Sequence, residues 1–505
     1  MAKIVAWLNS FLWGAPSLLL ILSVGAFLTL RLDFVQLRLL PEALRDFLSK
    51  LRPGKGDSGF QALCTALAAT VGTGNLVGVA GAICLGGPGT IFWMWLCGIL
   101  GMVTKFAEAT LAVRFRVKGP EGWQGGPMYV MERGLGPRWK PMAMAYSLFG
   151  LAAAFGVGNA AQINAAVSGI HGMLTSFGCA TPDWLNIMLG LCLGGILGSL
   201  LLGGTGKVGQ AAERLIPFAA AGYILLCLLA LIVKRNALPG AFAAIVRGAF
   251  EPKAITGGMI GSAFQALRIG CSRGVFTNEA GMGTAAIAHA GAEVDHPVRQ
   301  GMMGILEVFL DTIVICTLTA LVILTSGVAV PYGREAGAEL TTAAFATVYG
   351  RGAAIFLNLA MVLFAVATVL GWSFYGGRCA QYLFGQGAWK WFALAQGSVV
   401  AIGAVLDTAL VWQLSETING LMVIPNLITL AVLFPELDRL TKEYRKTGGK
   451  TVGGGNYADF HQRQPLRTLS HAEVPPSGCS SQERGQEDLS SEHRSAGSAH
   501  PGGLL

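Results

Sequence analysis

Charged side chains are scarce in this chain. Asp, Glu, Lys and Arg make up 13% of its 505 residues, where soluble domains average about 25%. Hydrophobic residues make up 53%, and the mean hydropathy is +0.56. This balance excludes a soluble enzyme and indicates an integral membrane protein. The net charge of +8 does not indicate a nucleic-acid partner, because the basic residues lie between hydrophobic runs, as in cytoplasmic loops.

Residues for catalysis or metal binding are also scarce. None of the ten cysteines forms a C-x-x-C pair, and most lie in apolar runs, where a buried cysteine behaves as a small hydrophobe. Four of the seven histidines follow residue 441, and the membrane runs contain neither a histidine cluster nor an activated serine. These absences argue against a membrane enzyme, a disulfide framework and a structural metal site.

Hydrophobic runs predict about eleven membrane spans. The first, from Ile4 to Leu30, is longer than the apolar region of about 7–15 residues in a cleaved signal peptide. Ten more follow at about 60–85, 89–113, 141–175, 184–203, 209–233, 256–288, 298–327, 352–384, 389–408 and 410–435. We therefore predict an all-α, multi-pass protein of the plasma membrane (the inner membrane of a Gram-negative source), surrounded by membrane lipid.

Charges in the loops predict the orientation and the domain boundaries. Lys and Arg concentrate at 31–59 and 114–140, which places both loops in the cytoplasm and the N-terminus outside, with 234–255 as the main exception. The predicted parts are an N-terminal transmembrane helix at 1–32, a cytoplasmic loop at 33–59, a first five-helix repeat at 60–233, an extracytoplasmic loop at 234–255, a second five-helix repeat at 256–440 and a disordered cytoplasmic tail at 441–505.

Two spans contain polar stretches that break a helix. One is Ala68–Asn75, with two glycines, and the other is Arg268–Asn278, for which a plain loop between two short helices is the alternative. Polar groups at this depth are costly unless they face a cavity, and secondary transporters build substrate sites from such discontinuous helices. The breaks fall in the first and sixth of ten core spans, which predicts a 5+5 inverted repeat with discontinuous first and sixth core helices.

An unwound segment offers both kinds of backbone charge. Free amides at the start of a half-helix suit a carboxylate, and free carbonyls at the end of the other suit a cation or an ammonium group. A zwitterionic amino acid needs both, so the pocket requires neither Arg nor Lys. A channel would need a continuous polar pore instead, whereas a receptor would bind the same ligand without moving it.

Longer motifs resemble the alanine/glycine:cation symporter family over about residues 4 to 440. They are Phe60–Ala80, Gly86–Leu96, Thr104–Glu108, Gly125–Tyr129, Gly158–Gln162, Arg273–Gly281, Asp295–Gly301 and Gly371–Gly376. The resemblance implies uptake of alanine, glycine or a similar small neutral amino acid on the inverted-repeat fold of neurotransmitter:sodium symporters. The family couples uptake to sodium, in some members to protons, so both ions stay candidates, as do serine and D-amino acids among the substrates. No obligate protein partner is indicated.

The resemblance assigns the first break to the substrate carboxylate. The stretch Gly72-Thr73-Gly74-Asn75 matches the unwound segment of the wider fold, whose amides at the second and third of these positions would bind the carboxylate. Asn75 is similar to a residue that ligates a second sodium ion there.

The resemblance also implies one sodium site. Backbone carbonyls near Ala68 and Val71 and the hydroxyl of Thr368 would bind the ion. The wider fold shows a pair of neighbouring hydroxyls in that helix, whereas here Ala367 and Val369 flank the single threonine.

Further polar and aromatic side chains are candidates for the substrate pocket. Asn159 and Gln162 share a helix face, and Asn164 and Gln265 are amides in similar apolar settings, so we predict substrate or ion contacts, with hydrogen bonds between helices as the alternative. Phe276 and Trp372 are predicted to wall the pocket and to select small side chains; ordinary packing is the alternative.

Buried charges elsewhere must be paired. Glu307 and Asp311 stand on one face of a span, where a charge costs at least about 2.5–3.5 kcal/mol. We predict a structural pair or gate with Arg268 or Arg273, and a proton relay is the alternative. Lys105 and Glu108 are predicted to form a local ion pair, since they too lie close together on one helix.

Overall fold

Two of the helices in the described part of the protein are interrupted, one at residues 71–73 and one at residues 279–283. The computed structural model describes residues 11–51, 57–256, 262–334, 337–405 and 408–448, which belong to a single unit, Met1–Leu466. The predicted start of the first helix at Ile4 and most of the predicted tail lie outside the described residues.

Helices form nearly all the regular structure of the described part. In chain order they are α1 (Ala15–Arg31), α2 (Val35–Lys50), α3 (Ser58–Thr70), α4 (Gly74–Gly86), α5 (Thr90–Arg114), α6 (Pro127–Val130, continuing as a π-helix over Met131–Leu135), α7 (Pro137–Ser176), α8 (Trp184–Leu202), α9 (Thr205–Val233), α10 (Leu238–Phe250), α11 (Pro252–Thr256), α12 (Ala263–Asn278), α13 (Thr284–His289), α14 (Pro297–Thr325), α15 (Ala338–Tyr349), α16 (Gly352–Phe384), α17 (Ala388–Gly403), α18 (Thr408–Val432) and α19 (Phe434–Lys446). A short antiparallel hairpin joins β1 (Val117–Gly119) to β2 (Gly122–Gln124).

The helices confirm the prediction of an all-α membrane protein. Six described helices are long and apolar enough to cross a membrane, and up to nine spans result if each of three sharply bent pairs counts as one. The count of about eleven stays a prediction. Each interrupted helix is followed in the chain by four long helices, in the order that the 5+5 repeat predicts.

The first predicted break is confirmed. Helix α3 ends at Thr70 and α4 begins at Gly74, with a bend of 52° between them. Val71 ends the helix because its backbone is extended, with φ −76° and ψ 96°. Helix α16 packs along both α3 and α7, which brings its middle against this break.

The second predicted break is at the wrong place. Helix α12 runs without interruption through Arg268–Asn278, and the backbone turns only at Glu279–Gly283. Glu279, Gly281 and Gly283 all have positive φ, at 54°, 93° and 79°, which ends the helix. The glycines inside α12 serve close packing instead: a β-carbon at Gly270 would lie 2.4 Å from the carbonyl oxygen of Thr90 on α5.

Two regions expected to be loops contain helices. Helix α2 occupies most of 33–59 and is bent by 80° from α1, and α10 occupies most of 234–255. The arrangement of α2 is typical of an amphipathic helix at the membrane surface, because apolar and polar residues fall on different faces. The domain boundaries and the side of the membrane on which each region lies stay predictions.

Candidate binding site at the two helix breaks

A small cavity lies where the two breaks meet helices α7, α16 and α18. Its volume is about 20 Å³, measured as the space open to the centre of a water-sized sphere. On that measure one water molecule needs about 10–15 Å³. Its lining residues are Ala69, Thr70, Gly72, Thr73, Gly74, Val157, Gln162, Phe276, Thr277, Glu279, Thr368, Trp372 and Asn419. The fold therefore brings most of the predicted substrate residues together from distant parts of the chain.

The backbone of the first break is freed from the helical pattern. In a continuous helix the amide of Gly72 would donate to the carbonyl of Ala68. Here it donates to Oδ1 of Asn75, at 2.8 Å. Thr73 and Gly74 stand at the start of α4, where the first amides of a helix have no partner within it. The break thus offers carbonyls on one side and amides on the other, as the sequence predicts.

Thr368 lies directly against this break. A β-carbon added at Gly72 would stand 2.7 Å from Oγ1 of Thr368. That hydroxyl donates to the carbonyl of Phe364 at 3.0 Å, which leaves its lone pairs for another partner. Ala68 and Val71 are buried beside residues that line the cavity but do not line it themselves. A threonine oxygen next to the end of α3 fits the predicted oxygen ligands of a sodium ion.

A carboxylate at the second break is a site residue that the sequence analysis missed. Glu279 lines the cavity, is 4% exposed, and accepts a hydrogen bond from Oγ1 of Thr284 at 2.6 Å. The described lining residues contain this single carboxylate and neither a lysine nor an arginine. The signal was available, because Gly281 and Gly283 after a charged residue in an apolar run predict a turn with positive φ.

Aromatic side chains close one side of the cavity. Trp372 packs so tightly on α7 that a β-carbon at Gly158 would lie 2.3 Å from its own β-carbon. Phe276 lines the cavity beside Gly74, and Val157 adds an aliphatic surface. These groups form the apolar part of the lining, and the selection of small ligands stays a prediction.

Of the four predicted amides, Gln162 lines the cavity. Its Oε1 accepts from Oγ1 of Thr73 at 3.2 Å. Asn159 donates instead to the carbonyl of Gln396 at 2.9 Å, and Gln265 donates to the carbonyl of Leu85 at 3.0 Å, where the other ends of α12 and α4 meet. Asn164 is outside the lining set.

Asn419 is a second site residue that the sequence analysis missed. It lines the cavity from α18, and its Oδ1 is buried without a hydrogen-bond partner among the described residues. An unpaired buried amide oxygen is costly unless a ligand reaches it. The sequence could have indicated it, because Asn419 is a polar residue within the apolar run 410–435.

Asn75 stabilises the first break without lining the cavity. It is 0% exposed and lies outside the lining set. Its Nδ2 donates to Oδ1 of Asp311 at 2.7 Å, while its Oδ1 accepts from Gly72. This position fixes the backbone that faces the cavity.

The predicted partners of the buried charges are wrong. Lys105 pairs with Glu307 of α14, at 3.0 Å, rather than with Glu108, and both members of the pair are at most 1% exposed. His289 contacts the second oxygen of Glu307, also at 3.0 Å. Arg273 pairs with Glu416 at 3.6 Å, while the side chain of Arg268 is exposed.

Glu108 caps the second break. Its Oε1 accepts from the amides of Gly281 and Gly283, at 2.9 and 3.1 Å, and from Nδ2 of Asn426 at 2.7 Å. A carboxylate that accepts three hydrogen bonds stabilises the start of α13, whose first amides lack helical partners. Lys105 and Glu108, predicted to pair with each other, therefore bind different partners: Lys105 binds Glu307, and Glu108 binds the second break.

This chain is similar to known membrane transporters along most of its length. Residues 1–453 match the model of the sodium:alanine symporter family. An uncharacterized transporter of Haemophilus influenzae is 43% identical over 88% of this chain and 96% of its own. The sodium/alanine symporter AgcS of Methanococcus maripaludis is 42% identical over 89% and 99%. The probable sodium/glutamine symporter GlnT of Bacillus subtilis is 37% identical over 88% and 92%.

Proposed function

The chain belongs to the sodium:alanine symporter family, a family of transporters in the membrane, and we propose that it imports small neutral amino acids, alanine and glycine, together with sodium by alternating access. The observation that carries the proposal is the cavity between two interrupted helices, lined by backbone amides, a lone carboxylate and a threonine hydroxyl. Such breaks place opposite backbone charges around one small ligand.

The carboxylate of the amino acid binds at the start of α4. The amides of Thr73 and Gly74 lie there, and the positive end of a helix dipole favours an anion. Gln162 supports the hydroxyl of Thr73 from α7. The substrate carboxylate thus finds hydrogen-bond donors without an arginine or a lysine.

The ammonium group of the substrate faces Glu279. A buried carboxylate is costly without a partner, and the lining residues supply no basic side chain. The unpaired Oδ1 of Asn419 is a second acceptor. With one sodium ion, one zwitterion and one carboxylate, the loaded cavity is electrically neutral.

Sodium binds between the end of α3 and α16. The carbonyls of Ala68 and Val71 and the hydroxyl of Thr368 are its proposed ligands, because the close approach of Thr368 to Gly72 brings oxygen atoms from both helices together. The proposed ligands are neutral oxygen atoms, which can bind sodium, whereas coupling to protons would have to use the carboxylate of Glu279 elsewhere in the cavity. Asn75, whose amide already bonds Asp311, is not proposed as a ligand.

Trp372 and Phe276 restrict the side chain of the substrate. They leave space for the hydrogen of glycine or the methyl of alanine, whereas glutamine would overlap this wall. A missing methylene group in a hydrophobic pocket changes affinity by about 1–3 kcal/mol, so we expect alanine to bind more tightly than glycine.

Competition against labelled alanine tests the substrate class. Purified protein in proteoliposomes is given an inward sodium gradient, and uptake is measured with an excess of glycine, serine, D-alanine or glutamine. We expect glycine and serine to compete and glutamine to compete poorly. Equal competition by glutamine would contradict the proposed pocket, and binding without uptake would indicate a receptor.

A further inference from the structure

A buried carboxylate on α14 lies outside the cavity and outside the ion pairs. Asp311 is 0% exposed, and no lysine or arginine of the described chain lies within 4.0 Å of its carboxylate. A carboxylate buried in a membrane protein without a cation is expensive, and such residues are kept where function needs them. The proposed substrate and sodium sites leave it without a task.

The hydrogen bonds of Asp311 reach both helix breaks. Its Oδ1 accepts from Nδ2 of Asn75 at 2.7 Å, next to the first break. Its Oδ2 accepts from Oγ1 of Thr312 at 2.9 Å. The same hydroxyl oxygen of Thr312 accepts from Nδ2 of Asn278 at 3.0 Å, next to the second break. All four side chains are at most 1% exposed, so water does not compete for these bonds.

Each asparagine also fixes the backbone of its own break. Oδ1 of Asn75 accepts from the amide of Gly72 at 2.8 Å. Oδ1 of Asn278 accepts from the amide of Ala280 at 3.0 Å. A displacement of one break therefore pulls on the same pair of residues that holds the other.

The local shape of α14 explains how two neighbours reach two helices. Adjacent helical residues point in different directions, so Asp311 and Thr312 face different partners. Both lie in the π-helical segment Phe309–Cys316, a departure from α-helix that often occurs at functional sites.

We propose that Asp311 and Thr312 form a link that couples the two breaks, so that sodium at the first break raises the affinity of the cavity for the amino acid. They are positioning residues, since neither lines the cavity. This inference rests on the sodium-coupled function proposed above. It adds the route by which one ligand affects the other, because affinities that depend on each other require an element that both ligands bias.

Equilibrium binding of labelled alanine tests the link. The Kd is measured on the purified full-length protein, by scintillation proximity, in saturating sodium and in choline. The ratio of the two values reports the coupling, and coupled sites typically give a ratio of about 5–150. Thr312→Val keeps the shape of the side chain and removes its hydroxyl. We expect it to lower the ratio about 2- to 10-fold, the effect of one lost hydrogen bond.

Thr325→Val is the matched control. Thr325 is buried on the same helix, and its hydroxyl donates to the carbonyl of Leu321 on that helix, at 2.7 Å. It should keep the wild-type ratio. If Thr312→Val does not fold, Asp311→Asn, which retains an oxygen for Asn75, must show the same loss.

The outcomes separate the link from the proposed function. A wild-type ratio in both Thr312→Val and Asp311→Asn overturns the link alone, and the network then serves only packing. A ratio of one in the wild-type protein overturns sodium coupling itself, and the link with it. A reduced ratio in Thr312→Val with an unchanged ratio in Thr325→Val supports the link.

Discussion

The hydroxyl of Thr368 on α16 lies directly against Gly72 in the first break. A β-carbon at Gly72 would lie 2.7 Å from Oγ1 of Thr368, closer than side chains normally approach. The absence of a side chain at this glycine is what allows α16 to meet the first break. The proposed sodium site depends on that approach.

Gly72→Ala should therefore abolish alanine uptake. The added methyl group displaces Thr368 or the break itself, and the sodium ligands separate. Gly78→Ala is the control, because Gly78 lies in α4, shortly after the break, and a β-carbon there meets nothing within 4 Å. Uptake in proteoliposomes measures both. Wild-type uptake in Gly72→Ala would show that the contact has no role.

Thr368→Ala should raise the sodium concentration needed for half-maximal uptake. Loss of one charge-assisted oxygen ligand costs about 1.5–3 kcal/mol, or at least about tenfold in affinity. Thr368→Ser keeps the hydroxyl and should restore most of the affinity. Sodium titrations of initial uptake rates test this expectation, and equal sodium dependence in Ala and Ser variants would place the ion elsewhere.

Glu279→Gln should weaken alanine binding. The amide preserves the contact with Thr284 but removes the charge that faces the ammonium group, with a loss of at least about tenfold. Glu251→Gln is a control at an exposed glutamate paired with Arg247. Direct binding in saturating sodium measures both variants. Unchanged affinity in Glu279→Gln would leave the carboxylate only its structural hydrogen bond with Thr284.

Lys105→Met should destabilise the protein more than the double variant Lys105→Met/Glu307→Leu. Removal of one partner of a buried ion pair leaves an uncompensated charge and costs about 3–5 kcal/mol, whereas an apolar pair is often tolerated. Thermal unfolding of the detergent-solubilised protein ranks the variants. If the double variant unfolds at the lower temperature, the interactions of Glu307 with other neighbours outweigh the pair.

The sequence predicts the first break correctly but misplaces the second. At Ala68–Asn75 the polar residues and the glycines lie together in the middle of an apolar run. Low helix propensity and the cost of polar groups in the membrane therefore both predict a break there. In α12 they do not coincide. Gly270 resembles a helix breaker, but it lets α12 pack on Thr90, and the chain turns at Glu279. Whether a glycine serves close packing or positive φ depends on a neighbour that is distant in the chain.

Polar side chains in apolar runs are found from the sequence, but their partners are not. The sequence identifies Asn159, Gln162 and Gln265 as polar residues of the membrane region, and only the fold separates the one that lines the cavity from the two that join helices. Lys105 and Glu307 pair across 202 residues. Contacts of that kind arise from topology and not from local spacing.

Alanine accumulation driven by a membrane potential tests the central claim most directly. Proteoliposomes receive equal sodium on both sides, no pH gradient and a potassium diffusion potential of about 100 mV, negative inside. One sodium ion moved with each zwitterion gains about 2.3 kcal/mol, enough for accumulation of up to about fifty-fold. We predict that alanine rises above its external concentration with sodium and only equilibrates when choline replaces it. Equal accumulation in choline would contradict sodium-coupled symport.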